Sequence, residues 1–349
     1  MRTTLICLAI LLAAWTTVPL LAQQPAKPPA LPPISPAQAR LDQTLGGLDG
    51  PGFGVAYNEQ AGLLAVGCDQ GSIHYWPKEV ILGIRAGERT PHVLHGHTGP
   101  VLAVASAGGP VLASGGADHK VVLWELPDGK VLHTLDAGAP VRALAMSPDG
   151  KTVAAGGDGP AIRLWDVATG KSAASDGLRA HTDWLLGLAF SPDGKQLAAS
   201  GYDGIVRVWE VGTGKKLLEV PGKPPPPPKT PPGPPNIVWS VAFSPDGKQL
   251  AVGGADEQIH ILNTADGKVL RSLAGHGSAI TGLVFHPSGT LLVSTSKDRT
   301  VRLWNPANGQ ALKSLEGHTA WVQGVTFLAN GTRLATVGAD QTVRLWELR

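Results

Sequence analysis

The chain has 349 residues, 43% hydrophobic and 16% charged, with 45 Gly and 30 Pro. That length can bury a sizeable core, and the Gly and Pro content favours turns over long helices. A formal net charge of +2, with no run of Lys and Arg interleaved with aromatics, excludes a field strong enough to gather nucleic acid.

Arg2 is followed by an almost wholly apolar stretch, Leu5–Leu21, and Leu20-Leu21-Ala22 precedes Gln23. This predicts a cleaved export signal over 1–22 and a periplasmic or extracellular protein. An N-terminal membrane anchor is the alternative, because Thr4–Ala22 is just long enough to span a bilayer. No later stretch is long and apolar enough to cross, so no span is expected in the mature chain. Cys7 falls within the signal and leaves Cys68 alone, which predicts a buried thiol and no internal disulfide. Residues 23–38 are Pro-rich and are expected to form an extended tether.

From residue 39 onwards the chain repeats itself. A mark recurs at Trp76, Trp124, Trp165, Trp209, Leu262 (in place of Trp), Trp304 and Trp346, in steps of 48, 41, 44, 53, 42 and 42 residues. A period of about 40–45 residues predicts four-stranded propeller blades, and seven marks predict seven of them. Tight turns recur inside the units as Ser-Pro-Asp-Gly at 147–150, 191–194 and 244–247. Pro presets φ, Asp bonds back to the backbone and Gly takes positive φ, so each reads as strand, turn, strand.

Ahead of each turn, apolar columns (Val101, Val141, Leu185, Val238, Ile280, Val322) flank a small one (Ala103, Ala143, Gly187, Ser240, Gly282, Gly324). The apolar columns are expected to pack between blades, and the small one to mark crowding where blades converge. One column does not repeat: Phe53, Leu102, Arg142, Leu186, Trp239, Thr281, Gln323. Its variation predicts that it faces the central channel or its rim.

Gly96-His97, Gly275-His276 and Gly317-His318 occur in register with Trp124-Glu125, Trp165-Asp166, Trp209-Glu210, Trp304-Asn305 and Trp346-Glu347. In this combination the chain resembles the WD-repeat β-propeller family over residues 39–349. The resemblance implies an all-β, seven-bladed propeller of four-stranded antiparallel blades. It also implies a buried network in which a turn Asp, the His of Gly-His, a hydroxyl and the Trp bond to one another. That network falls on His97, Ser114, Asp118 and Trp124; on His276, Ser294, Asp298 and Trp304; and on His318, Thr336, Asp340 and Trp346. Blade four keeps His181, Asp203 and Trp209 but has Ala199 at the hydroxyl position. Blades one, three and five lack the His, so Asp69, Asp158 and Asp256 are expected to turn to backbone amides, with blade five the least rigid.

A hydrolytic Ser-His-Asp reading is rejected, because the set recurs blade after blade while catalysis needs one activated Ser. His92, His95 and His97 are close in sequence, but His97 belongs to the network and neighbouring strand residues point to opposite faces. Neither metal nor cofactor is expected.

After Trp346 the blade has no outer strand of its own. Residues 39–47 have a comparable polar and apolar mix and are expected to complete the last blade, which closes the ring and removes a free sheet edge. A Pro-rich insertion at 221–236 separates blades four and five. Pro-rich chain cannot join a sheet, and it is expected to be a surface spacer or a ligand for an aromatic groove. Near it in the family's layout lie Trp184, Tyr202, Trp239 and Trp321, which with Arg142 and Lys297 form the candidate partner-binding face. The expected function is a monomeric, non-catalytic scaffold for a protein or peptide, with no nucleic-acid partner. The alternatives are a propeller enzyme, such as an envelope hydrolase or lactonase, and a carbohydrate-binding module.

Overall fold

A computed structural model describes residues 34–84, 89–159, 161–173, 178–179, 181–222, 237–328 and 331–348. Among them, seven four-stranded antiparallel sheets succeed one another, and each inner strand packs against the inner strands of the blades on either side. The first inner strand also meets the last, so the ring is closed. In blade two the strands are, from the inside outwards, Val101–Ser106, Val111–Gly116, Lys120–Glu125 and Lys130–Asp136.

The Ser-Pro-Asp-Gly turns fold as their chemistry dictates. Ser147 Oγ donates to Asp149 Oδ1 at 2.6 Å, and the Lys151 and Thr152 amides donate to Asp149 Oδ1 and Ser147 Oγ at 3.1 and 2.9 Å. Gly150 takes φ of +71°, which a side chain would resist. The same bonds recur at Ser191 and Ser244.

At four of the blade junctions, a large residue of one inner strand fits against a glycine of the preceding blade. A Cβ on Gly67 would sit 2.6 Å from Val101 Cγ1, and one on Gly253 would sit 2.7 Å from Ile280 Cγ2. The small column is crowded too, since a Cβ on Gly54 would lie 2.8 Å from the Val104 nitrogen. Neither site has room for a side chain. Apolar clusters therefore run between sheets, each mixing residues of adjoining blades.

The ring closes where the sequence predicts. Arg40–Leu45 pairs antiparallel with Val343–Glu347 and supplies the outer strand of blade seven. Arg40 bonds Glu347 at 2.8 Å, Arg333 bonds Asp42 at 2.7 Å, and Leu45 is fully buried. The Ser35 amide donates to the Leu348 carbonyl at 2.6 Å, which fixes the end of the chain.

Two boundaries differ from the sequence reading. Residues 34–38, read as tether, are ordered against blade seven: Pro36–Gln38 form a 3-10 turn and Ile34 packs on its core. Pro221, read as the start of the insertion, ends the outer strand Lys216–Pro221 and pairs with Ile205. Residues 1–22, most of the tether and 223–236 lie outside the described residues. Among the described residues no helix is long and apolar enough to cross a membrane.

Candidate functional site

Every inner strand carries a register shift at the same place. In blade two Val101 pairs with Gly116 and Ala103 with Gly115, so Leu102 is the extra residue. Phe53, Arg142, Leu186, Trp239, Thr281 and Gln323 are its equivalents. A bulge frees one residue from the pleat and re-aims its side chain. The non-repeating column is thus the bulged column, and all seven members line the central channel.

At one end the channel widens into a cavity of about 350 Å³. All six candidate partner-binding residues line it: Arg142, Trp184, Tyr202, Trp239, Lys297 and Trp321. Trp184 and Tyr202 meet edge to face at 5.2 Å, and the Arg142 guanidinium lies 4.5 Å from the Trp184 ring centre. Lys297 Nζ lies between two indoles, 3.8 Å from the Trp239 ring and 4.2 Å from the Trp321 ring. Burial pushes the Lys297 ammonium below its ordinary pKa. Trp184 and Trp321 are 39% and 49% exposed, whereas Trp76, Trp124, Trp165, Trp209, Trp304 and Trp346 are buried.

Three of those buried indoles, Trp124, Trp304 and Trp346, belong to interior networks. Trp124 Nε1 donates to Ser114 Oγ at 2.8 Å; Ser114 Oγ lies 2.8 Å from His97 Nε2, and His97 Nδ1 lies 2.9 Å from Asp118 Oδ1. The indole donates at one end and the carboxylate accepts at the other. Asp118 accepts from His97 Nδ1, Ser114 Oγ bonds His97 Nε2, and Ser114 Oγ also donates to the Val122 carbonyl at 3.4 Å. Blade six repeats this through Trp304, Ser294, His276 and Asp298, with bonds of 2.8, 2.7 and 2.7 Å. Blade seven repeats it through Trp346, Thr336, His318 and Asp340, at 2.9, 2.8 and 2.9 Å. Burial lowers the pKa of His276 and His318 despite their carboxylate partners, in keeping with neutral rings. The three sets have triad geometry, yet Ser114, Ser294 and Thr336 are fully enclosed and already accept from an indole.

The incomplete blades are repaired by side chains that the sequence reading did not assign. In blade four, His181 meets Asp203 at 3.0 Å, and Arg207 donates to Asp203 at 2.6 Å. His181 Nε2 is buried without a hydrogen-bond partner. In blade five, Asp256 pairs with His260 at 2.8 Å, and His260 reaches Ser272 at 2.7 Å. In blade three, Asp158 takes a two-pronged ion pair from Arg142. The expectation of backbone amides is met in part at Asp256, which accepts from the Gln258 amide at 3.4 Å, but at both Asp158 and Asp256 a cationic or imidazole side chain also takes the place of the missing His. The substitutes of blades four and five, Arg207 and His260, stand in the column two residues before the Trp mark, whereas that of blade three, Arg142, stands in the bulged column.

Blade one uses a third arrangement. Ser72 donates to Asp49 at 2.6 Å and lies 3.0 Å from His74 Nε2. With Cys68, Asp49 and His74 bring ligand-type atoms within 4.8 Å of one another. Burial and nearby acids push the Cys68 thiol up to about 12, so it stays protonated beside hydrogen-bonded neighbours. His92 and His95 are exposed on an outer strand, apart from the buried His97.

A 75-residue segment is 43% identical to the small ribosomal subunit protein RACK1y of Oryza sativa subsp. japonica, covering 21% of this chain and 22% of that protein. An 86-residue segment is 41% identical to the small ribosomal subunit protein RACK1 of Medicago sativa, covering 24% of this chain and 26% of that protein. The chain thus spans about a quarter of the length of the curated relatives it matches. These relatives overturn the expectation of an exported, periplasmic or extracellular protein and its membrane-anchored alternative. The export reading rested on Arg2, the apolar run Leu5–Leu21 and the Leu20-Leu21-Ala22 boundary, whereas the relatives are named as small ribosomal subunit proteins. The WD domain, G-beta repeat, matches residues 88–125, 129–166, 172–210, 226–263, 267–305 and 309–347, leaving only the divergent first unit unmatched. With six matched repeats in a ring of seven blades, the chain belongs to the WD40 family.

Proposed function

We propose that this chain is a non-catalytic scaffold that holds a protein or peptide partner on the face where Trp184, Tyr202, Trp239 and Trp321 surround the channel mouth. The observation that carries this is the contrast among tryptophans. Six fill the interior of the blades, while Trp184 and Trp321 stand exposed beside Trp239 at one cavity. Exposed Trp and Tyr rings on a rigid frame are the usual anchors of protein interfaces. The relatives bear the names of ribosomal subunit proteins, which fits a role within an assembly.

An enzymatic role finds little support in the same residues. The cavity lining offers Arg142, Tyr202, Thr281, Lys297 and Gln323 as polar groups, and no carboxylate or histidine for acid-base or metal chemistry. The Ser-His-Asp sets lie enclosed within the blades. Affinity capture with the full chain, set against a Trp184→Ala/Trp321→Ala variant of equal thermal stability, tests the reading. The partner should bind the parent and be lost by the variant; undiminished binding by the variant refutes the site.

A further inference from the structure

The cavity holds two cations and, among its lining residues, no acid. They are not equivalent. Arg142 is neutralised by Asp158, which grips the guanidinium through both carboxylate oxygens. Lys297 has two indole faces instead, and among the described residues no ion pair to it occurs within 4.0 Å. Ring faces only partly replace the water that a cation loses, and such contacts contribute about 0.5–2 kcal/mol. The lowered pKa of Lys297 reflects that deficit. An ammonium has three N–H donors, and a facing carboxylate would take one or two of them in charge-assisted bonds.

We propose that this cavity recognises a short peptide segment of a partner protein in which an Asp or Glu side chain lies beside an aromatic or aliphatic one, the carboxylate meeting Lys297 and the apolar group packing among Trp184, Trp239 and Trp321. This rests on the reading of the face as a partner site and adds the chemistry of what it takes. The cavity volume of about 350 Å³ suits a few side chains. Phe53, Leu102 and Leu186 give it an apolar floor. A phosphorylated segment fits less well. A doubly charged phosphate needs several donors at once, and the one guanidinium present is held by Asp158, whose own charge would repel it.

Random heptapeptides displayed between fixed flanks, so that neither terminus is free, should be selected on the full chain. The strongest binder is then made with Glu or Asp and with the matching Gln or Asn, and both forms are titrated by fluorescence anisotropy. Selected peptides should carry an acid next to Phe, Trp, Leu or Pro, and the amide form should bind about tenfold more weakly. Lys297→Met should abolish that difference and Lys297→Arg should keep it. Selection of neutral or basic peptides, equal affinity for acid and amide forms, or no binder at all would each overturn the proposal. Binding that ignores Lys297→Met but is lost in Trp184→Ala removes the acidic partner and leaves the face. Binding that ignores Trp184→Ala and Trp321→Ala removes the face as well.

Discussion

Val337 of blade seven packs against the bare Cα of Gly52 in blade one, and this reverses the arrangement found at other blade junctions. At four other junctions the inner strand supplies the large residue, Val101, Val141, Leu185 or Ile280, and the preceding blade supplies the glycine, Gly67, Gly115, Gly156 or Gly253. At the seam the inner strand supplies Gly52, and a Cβ there would overlap Val337 Cγ2. Large and small have exchanged places at the junction where the ring closes. Gly52→Val should therefore destabilise the protein by about 1–3 kcal/mol through overpacking. Val337→Gly should destabilise it by a comparable amount through the cavity it opens and the freedom it gives a strand. Combining the two restores the size order of the other junctions. The double variant should be less destabilised than the sum of the singles by at least about 1 kcal/mol in urea unfolding. Simple additivity would show that the two residues do not share one space.

The ring and its closure were legible in the sequence because each blade repeats the same local solution. Turn residues, strand pattern and the Trp mark recur in register, so one blade interprets the next. The channel lining was half legible. Arg142 and Trp239 stood out because their column varies, but the variation does not reveal the bulge that turns them into the channel, since a bulge depends on pairing with a second strand. The substitutes for the missing histidines were overlooked for a similar reason. His260 reaches Asp256 from the third strand, and Arg142 reaches Asp158 from the inner strand, so neither occupies the Gly-His column where a replacement would be sought. The seam exchange between Gly52 and Val337 was invisible, because each residue alone looks like ordinary variation.

Blade four invites completion. His181 Nε2 is buried without a partner, and Ala199 stands in the column that holds Ser114, Ser294 and Thr336 elsewhere. In those blades the hydroxyl hydrogen-bonds the imidazole Nε2 and accepts from the indole. Ala199→Ser should raise stability by about 1 kcal/mol, the net worth of a buried hydrogen bond that relieves an unsatisfied group. The same change should do nothing of the kind at Ala155, the equivalent position in blade three, which has no Gly-His histidine above it. Thermal unfolding of the two variants decides the matter, and a lower midpoint for Ala199→Ser would refute it.

Acid should weaken the fold in two stages. The carboxyl of Asp298 is subject first to burial, which raises its pKa. Hydrogen bonds from the Thr300 hydroxyl and amide, the Gly277 amide and His276 outweigh burial and bring it to about 2. Asp118, Asp203 and Asp340 are lowered in the same way. A carboxyl whose pKa is lower in the folded than in the unfolded chain gives stability that is full above the unfolded value, near 3.8, and is lost as pH falls towards 2. His276 and His318 are lowered by burial, so the unfolded chain takes up their protons first as pH drops below about 6.5. Both effects have the same sign. The melting temperature should decline gently below pH 6.5 and steeply below pH 4. In Asp298→Asn the gap from the parent should be wide at pH 7 and narrow at pH 2.5. A gap independent of pH would mean that the charge of Asp298 contributes nothing.

The closing strand should matter more than its length suggests. Residues 39–47 add a strand to blade seven, bury Ala39 and Leu45, and satisfy an edge that would otherwise end in free backbone groups. Burial of Leu45 alone contributes about 2 kcal/mol. The Arg40–Glu347 contact is exposed and contributes little, so the loss would lie in the backbone pairing and the apolar contacts. A chain beginning at Gly50 should melt well below the parent and self-associate through the bared edge of Val343–Glu347. Adding the peptide Ile34–Gly47 in trans should raise its melting temperature in proportion to the logarithm of peptide concentration, as ligand binding to a folded state requires. Leu45→Asp in the same peptide should abolish the rescue. A truncated chain as stable as the parent, and no more self-associated, would show that the ring holds without its latch.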